Sequence, residues 1–314
     1  MVPSALREAA GGTTVSAPSL EIEVIMRNYR KLSTLACALI FAGGMAGADP
    51  VVIDGDAAFP EGPYVMDGKL YYVEYAGNTL DVWDGSAKST LWQQDGCGPS
   101  AVLPFDGDFL ITCYDSGTLV RVSQTGETQK VFATDANGDA MVGPNDLTSD
   151  GMGGVFVTAS GPWESAPIAG KVYALSPGGQ PVPVADDLHY ANGIALAPTG
   201  DRLFVIESEA GRVISFAIGA DHSLSDRRLF VRLAVIDPES GIAAYPDGME
   251  FAPDGNLWIG QYSSGRIVSV TPEGTVARVV VVPSTTAPNL AFSQDGTHLF
   301  VTAVDQTDAP PYAG

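Results

Sequence analysis

Six polar residues stand at matching places along a 314-residue chain: Glu61, Ser100, Asn145, Asn192, Asp247 and Asn289. Each lies a few residues upstream of a turn pair, and apolar residues follow most of them closely, as in Ile194-Ala195-Leu196 and Met249-Glu250-Phe251. Two are acids and four carry an amide or a hydroxyl, so together they offer hard oxygen donors without imidazole or thiolate. Such a set favours Ca2+, with Mg2+ and Mn2+ next and Zn2+ last on ligand softness. Taken singly, Asn, Asp and Ser are also ordinary turn caps that bond nearby backbone. Glu61 departs from that bland reading, because glutamate is a poor turn former. Asp254 is an internal control: Pro253-Asp254-Gly255 repeats the tripeptide at Asp247 but falls in an outer turn, so position in the repeat carries the inference.

Other chemistries are poorly served. There is no Gly-x-Ser-x-Gly elbow, no phosphate-binding glycine loop, and no histidine placed to serve Cys97 or Cys113. His189 stands near Asn192 without a second histidine, which leaves it as a proton shuttle or a structural residue. A net charge of −21 repels nucleic acid and anionic lipid, and favours cations over anions at a cleft.

The elements that must position the six residues follow from internal repetition. Asp67-Gly68, Asp106-Gly107, Asp150-Gly151, Thr199-Gly200, Asp254-Gly255 and Asp295-Gly296 each precede a strand-like run, and second hairpins follow. Repeats of about four strands at this spacing predict an all-β six-bladed propeller with four-stranded blades around an axial channel. The last repeat stops before a clear third strand, so it is expected to be incomplete or closed by the N-terminal strand, Val51 to Ile53.

Ahead of this domain, Met26 with Arg27, Arg30 and Lys31 precedes an apolar run from Leu32 to Gly44 and then Ala46-Gly47-Ala48. That order predicts a signal peptide over 26–48, cleaved near Ala48, with translation starting at Met26. Residues 1–48 are thus expected to be an extension and 49–314 one domain, periplasmic or secreted and free of the membrane after cleavage. In an exported protein Cys97 and Cys113 are either a disulfide or two buried thiols.

With these motifs in order, the chain from Phe59 to Thr302 resembles the SMP-30/gluconolactonase/luciferin-regenerating family of six-bladed propellers. The resemblance rests on Glu61-Gly62-Pro63, Pro144-Asn145-Asp146, Ala191-Asn192-Gly193 and Pro246-Asp247-Gly248, one per repeat. It implies a divalent cation held by Glu61, Asn192 and Asp247, with Asn145 beside metal and substrate, and an enzyme that opens lactones. In such a hydrolase Asp247 is the candidate base toward water. Ser100 and Asn289 then fill the channel.

One departure stands out. Sugar-lactone members often carry a substrate-binding arginine two residues before the third-repeat asparagine, where this chain has Gly143. Aromatic residues near the blade tops, Tyr64, Tyr114, Trp163, Tyr190 and Tyr245, are candidates for a less polar lining, with Trp163 and Tyr190 the expected substrate contacts. Glu164, in the same loop as Trp163, reads as a solvated acid. The competing readings are a related propeller enzyme, such as a strictosidine-synthase-like or carbon–carbon bond hydrolase, and a non-catalytic binding propeller with a structural cation.

Overall fold

The computed structural model describes residues 20–25, 50–162, 168–240, 245–305 and 307. Two strands come first, β1 (Glu21–Ile25) and β2 (Val51–Asp54). Five sheets of four consecutive antiparallel strands follow. The first blade is β3 (Pro60–Met66), β4 (Lys69–Glu74), β5 (Thr79–Trp83) and β6 (Lys88–Gln93), and the second is β7 (Pro99–Phe105), β8 (Asp108–Cys113), β9 (Thr118–Val122) and β10 (Thr128–Phe132). The third is β11 (Pro144–Ser149), β12 (Val155–Ala159), β13 (Gly170–Leu175) and β14 (Val182–Leu188); the fourth is β15 (Ala191–Leu196), β16 (Arg202–Glu207), β17 (Arg212–Ile218) and β18 (Leu224–Arg232). The fifth is β19 (Pro246–Phe251), β20 (Leu257–Gln261), β21 (Arg266–Val270) and β22 (Val276–Val281). Last come β23 (Leu290–Phe292) and β24 (His298–Thr302).

The turn chemistry explains the repeat. Asp67 and Gly68 adopt φ of 52° and 72°, the doubly left-handed two-residue turn whose twist matches the flanking strands. Asp106 and Gly107 repeat it in blade two at 52° and 82°, whereas in blades three to five only the turn glycine (Gly151, Gly200, Gly255) is left-handed.

The molecule is an all-β propeller with five blades of this regular build, which corrects the expectation of six blades, the last incomplete or closed by the N-terminal strand. In place of a sixth stands a composite sheet in the order β2-β1-β24-β23. Strand β1 pairs in parallel with both β24 and β2, whereas every neighbouring pair in the five blades is antiparallel. The Val51 strand therefore adds behind β1 rather than directly onto the last repeat. Glu21–Ile25 belongs to this sheet although the sequence reading set all of 1–48 outside the domain. Its alternation is legible in retrospect: Ile22, Val24 and Ile25 are buried while Glu21 is exposed. The proposed signal, 26–48, lies outside the described residues.

Burial sits between blades rather than within them. Five apolar clusters of 10 to 13 buried residues join successive sheets from the first blade round to the composite one, for example Tyr71, Phe109 and Ile111 between blades one and two. The closing joint, from the composite sheet to blade one, holds four: Ile25, Ala57, Leu70 and Tyr72. At about 25 cal/mol per Å2 of apolar surface, that joint contributes the least. Cys97 and Cys113 form a disulfide with Cα atoms 4.6 Å apart, which resolves the alternative left by the sequence. Among the described residues no helix is long and apolar enough to cross a membrane.

Candidate active site

The first strand of each regular blade runs along the axis, and its pairing breaks register where the axial residue stands. The irregularities fall between Glu61 and Tyr64, Pro99 and Ala101, Pro144 and Leu147, Ala191 and Ile194, and Pro246 and Met249. A bulge of this kind bends the strand and re-aims a side chain. In three blades glycine follows the axial residue, at Gly62, Gly193 and Gly248. A Cβ on Gly193 would fall 2.3 Å from the Asp247 carbonyl oxygen, and one on Gly248 would strike the Asn289 side chain.

Five of the six expected axial residues, Glu61, Ser100, Asn145, Asn192 and Asp247, line one cavity of about 830 Å3. All but the partly buried Asn145 are under one-tenth exposed. Asn289 is buried but is not part of the lining; its side chain hydrogen-bonds the Glu61 carboxyl, so it holds a member of the site. Ser100 does more than fill space. Its hydroxyl donates to the carbonyl oxygens of Pro144 and Asn145 at 3.1 and 2.9 Å and so fixes the start of blade three. Asn145 Nδ2 donates to Ser160 Oγ at 2.9 Å, and Asn192 hydrogen-bonds Asp247.

Electrostatics sets this floor apart. Burial first, then the charges of Asp247 and Asp146, pushes the Glu61 carboxyl well above the usual carboxylate range. Burial, followed by the nearby Asp146, raises Asp247 to about 8. Two further acids lie just behind and were not singled out from sequence. Asp146, raised by burial to about 7, accepts from the Ile194 amide at 3.1 Å and so ties blade three to blade four. Glu250, likewise raised to about 7, accepts from the Phe292 amide at 2.8 Å and ties blade five to β23. Asp146 stood within a quoted motif, but nothing local marks an acid whose partner is 48 residues away.

Among the described residues, no Lys, Arg or His forms an ion pair with Glu61, Asp146, Asp247 or Glu250. Uncompensated buried carboxylates are costly, and the raised values express that cost. No three His, Cys, Asp or Glu side chains stand together as a metal site among the described residues, so any cation here would rest on two carboxylates supplemented by amide oxygens. That all-oxygen set, already short of positive charge, fits a hard divalent ion.

The walls are aromatic. Tyr114, Tyr190 and Tyr245 line the cavity as expected, together with Phe59, Tyr75 and Tyr262, which the sequence reading missed. Tyr64 lies elsewhere, packed against the apolar cluster between blades one and two. Trp163 and Glu164 lie outside the described residues. His189 is not part of the lining; its backbone amide donates to Glu207 Oε1 at 3.0 Å. A signal for the missed rings existed in the repeat. The residue two places before each axial one (Phe59, Gly98, Gly143, Tyr190, Tyr245) accepts a backbone hydrogen bond from the residue just after the second strand (Tyr75, Tyr114, Ser160, Ser208, Tyr262), at 2.8 to 3.1 Å in all five blades. Seven of these ten positions line the cavity.

Known proteins named as lactonases are similar to this chain over most of its length. Gluconolactonase of Zymomonas mobilis is 24% identical over 283 residues, covering 80% of this chain and 78% of its own. Lactonase drp35 of Staphylococcus haemolyticus is 25% identical over 232 residues, covering 69% and 67%. Diisopropyl-fluorophosphatase of Loligo vulgaris is 26% identical over 198 residues, covering 59% and 61%. Among solved structures, a gluconolactonase from Xanthomonas campestris superposes with a TM-score of 0.67 at 22% identity, over 79% of this chain and 84% of that one, which supports the fold. The description of the SMP-30/gluconolactonase/LRE-like region matches residues 59–305, from the ring at the pocket wall to the end of the last inner strands, and the chain belongs to that family.

Proposed function

We propose that the protein is a metal-dependent hydrolase that opens a lactone ring with water. The observation that carries this reading is the pair of buried carboxylates, Glu61 and Asp247, with no basic partner among the described residues, at the floor of an open cavity. Lactone-opening relatives support the substrate class.

In this reading Glu61, Asn192 and Asp247 hold a divalent cation, Ca2+ first among the candidates. When bound, the cation supplies Lewis-acid polarisation of the lactone carbonyl and lowers the pKa of water beside it. The chain's own residues do the rest. Asp247 accepts the proton of the attacking water, its Asn192 hydrogen bond keeping the carboxylate oriented. Glu61 supplies negative charge, and Asn289 fixes its carboxyl. Asn145 and Tyr190 contact the substrate and are both held by the Ser160 hydroxyl, which accepts from the Asn145 amide at 2.9 Å and donates to the Ala191 carbonyl at 2.7 Å. Water oxygen bonds to the acyl carbon, the acyl carbon–ring oxygen bond breaks, and the single open-chain product carries the new carboxylate at one end and, once the former ring oxygen has received a proton, the alcohol at the other. The disulfide supports an oxidising compartment, as export to the periplasm or medium would give.

The test is acid release from a panel of lactones, with and without chelator. Chelation should abolish turnover and added Ca2+ should restore it. Unchanged turnover in chelator, or full activity in Asp247→Asn, would overturn the reading.

A further inference from the structure

The pocket wall carries information about the substrate that the floor does not. In four of the five regular blades, the residue two places before the axial one has left-handed backbone: Phe59 at φ 59°, Gly98 at 55°, Gly143 at 62° and Tyr190 at 57°. The fold therefore asks for the same backbone shape in each, and blades two and three answer with the residue that takes it without strain. Blades one and four place bulky aromatic residues there, a genuine conformational outlier for such side chains. Both outliers line the cavity. Strain held at a pocket wall, where an unstrained alternative appears in the sister repeats, points from conformation to function.

The two rings anchor a wider collar. Phe59 stands 5.4 Å from the Tyr75 ring and 6.4 Å from that of Tyr262, centroid to centroid. Opposite them, Tyr190 donates its hydroxyl hydrogen to Tyr114 Oη at 2.9 Å. Tyr75 donates to Asp115 Oδ1 at 2.8 Å, so hydroxyls of the collar are engaged with the protein. The lining contains no Lys, Arg or His among the described residues, while Asp115 and Glu209 add negative charge to the wall. Gly143, where sugar-lactone relatives often have arginine, has no room for one: a Cβ there would lie 2.8 Å from Cε2 of Tyr114 and 2.9 Å from the Gly161 carbonyl oxygen.

We infer that this aromatic collar is the specificity element of the pocket, selecting substrates that present a flat apolar group, neutral or positively charged, over polyhydroxylated or anionic ones. The inference rests on the lactone-opening reading for its reaction, but not for its binding preference. Aromatic faces bury a flat ring and attract positive charge, whereas a polyol would surrender water at a wall where the hydroxyls of Tyr75, Tyr114 and Tyr190 are already paired. The acids repel an anionic substrate and favour release of the carboxylate product.

The test uses the full chain loaded with Ca2+ and three probes: a benzo-fused six-membered lactone, a polyhydroxylated six-membered lactone, and the benzo-fused lactam as a ligand that is not opened. The benzo-fused lactone should be preferred in kcat/KM by at least about 10-fold. Phe59→Gly, which places glycine where the backbone prefers it, should fold with an unreduced melting temperature. It should raise KM for the benzo-fused lactone about 10-fold with kcat changed far less, and weaken lactam binding by calorimetry to a similar degree. Phe59→Tyr should retain the preference, and Tyr75→Ala gives a second variant outside the strained position. Preference for the polyhydroxylated lactone, or unaltered KM and lactam affinity in Phe59→Gly and Tyr75→Ala, would overturn the inference. If no lactone is opened but the lactam binds and Phe59→Gly weakens it, the collar stands and the lactone reading fails.

Discussion

The floor and the wall of this pocket are built from repeat positions only two residues apart, yet they obey different rules. At the floor, Glu61, Asn192 and Asp247 vary in chemistry while a bulge in each inner strand keeps their direction the same. At the wall, four of the five blades share the same left-handed backbone, but glycine in two of them gives way to Phe59 and Tyr190 in the other two. The difference teaches that the propeller supplies direction by symmetry and that chemistry enters where a blade departs from its sisters. At the floor the departures are in charge. At the wall they are in bulk.

The largest effects should come from the floor. Asp247→Asn or Glu61→Gln removes a buried carboxylate that this reading assigns to the cation, and kcat/KM should fall by about 10^3-fold or more, some 4 kcal/mol of transition-state stabilisation. Because each variant also removes an unpaired buried charge, melting in chelator should not fall and should rise at pH 8. A loss of activity accompanied by a loss of cation-free stability would instead mark these residues as structural.

Next in size is the response to pH of the acid behind the floor. Glu250 is raised from 4.5 to about 7 by burial, so the folded state holds its proton where the unfolded chain has lost it. Its contribution is fully present below pH 4.5 and is lost as pH rises through 7. One pKa unit is about 1.4 kcal/mol, which makes the loss roughly 3 kcal/mol between pH 4.5 and 8. Chelator-treated protein should therefore melt at lower temperature at pH 8 than at pH 5, and Glu250→Gln should flatten that slope. A slope unchanged in the variant would place the titration elsewhere.

The two regions also differ in how well they could be read from sequence. The turns, the inner strands and the six axial residues follow from a repeat whose spacing is local, and five of those residues do share the cavity. Asp146 and Glu250 were not legible because their partners, the amides of Ile194 and Phe292, are 48 and 42 residues away in a neighbouring sheet. Phe59, Tyr75 and Tyr262 escaped because an aromatic residue before or after a strand reads as packing until a ring of repeats shows that it faces the axis. The last sheet was misjudged for a different reason. Glu21–Ile25 is a short alternating strand whose pairing partners are at the far end of the chain, and register with β24 cannot be inferred from five residues alone.

A smaller effect links wall and scaffold. Cys97 and Cys113 immediately precede Gly98 and Tyr114, and the Tyr114 amide donates to the Gly98 carbonyl at 2.9 Å. The cross-link closes a loop with a sequence separation of 16, for which chain entropy gives about 3 kcal/mol, less whatever the buried serine pair regains. Replacing both cysteines by serine should lower stability by about 2 kcal/mol and raise KM through the tilt of Tyr114, with little change in kcat. Lost stability with KM unaltered would show that the wall is held by its own packing.

The finest test of the comparison is one methyl group. Gly143→Ala adds a Cβ at a left-handed position, 2.8 Å from the Tyr114 ring, and the backbone cost is about 1 kcal/mol. The ring is the part that can give, so Tyr114 should swing from its place and lose the hydrogen bond it receives from Tyr190. The floor, two residues along the same strand, is insulated by the bulge after Pro144 and by the Ser100 bonds that fix the carbonyls of Pro144 and Asn145. KM for a flat apolar substrate should therefore rise severalfold while the affinity for Ca2+, measured by calorimetry without substrate, stays within about 2-fold. A matching loss of Ca2+ affinity would mean that wall and floor move as one body, and that the two residues separating them do not isolate bulk from charge.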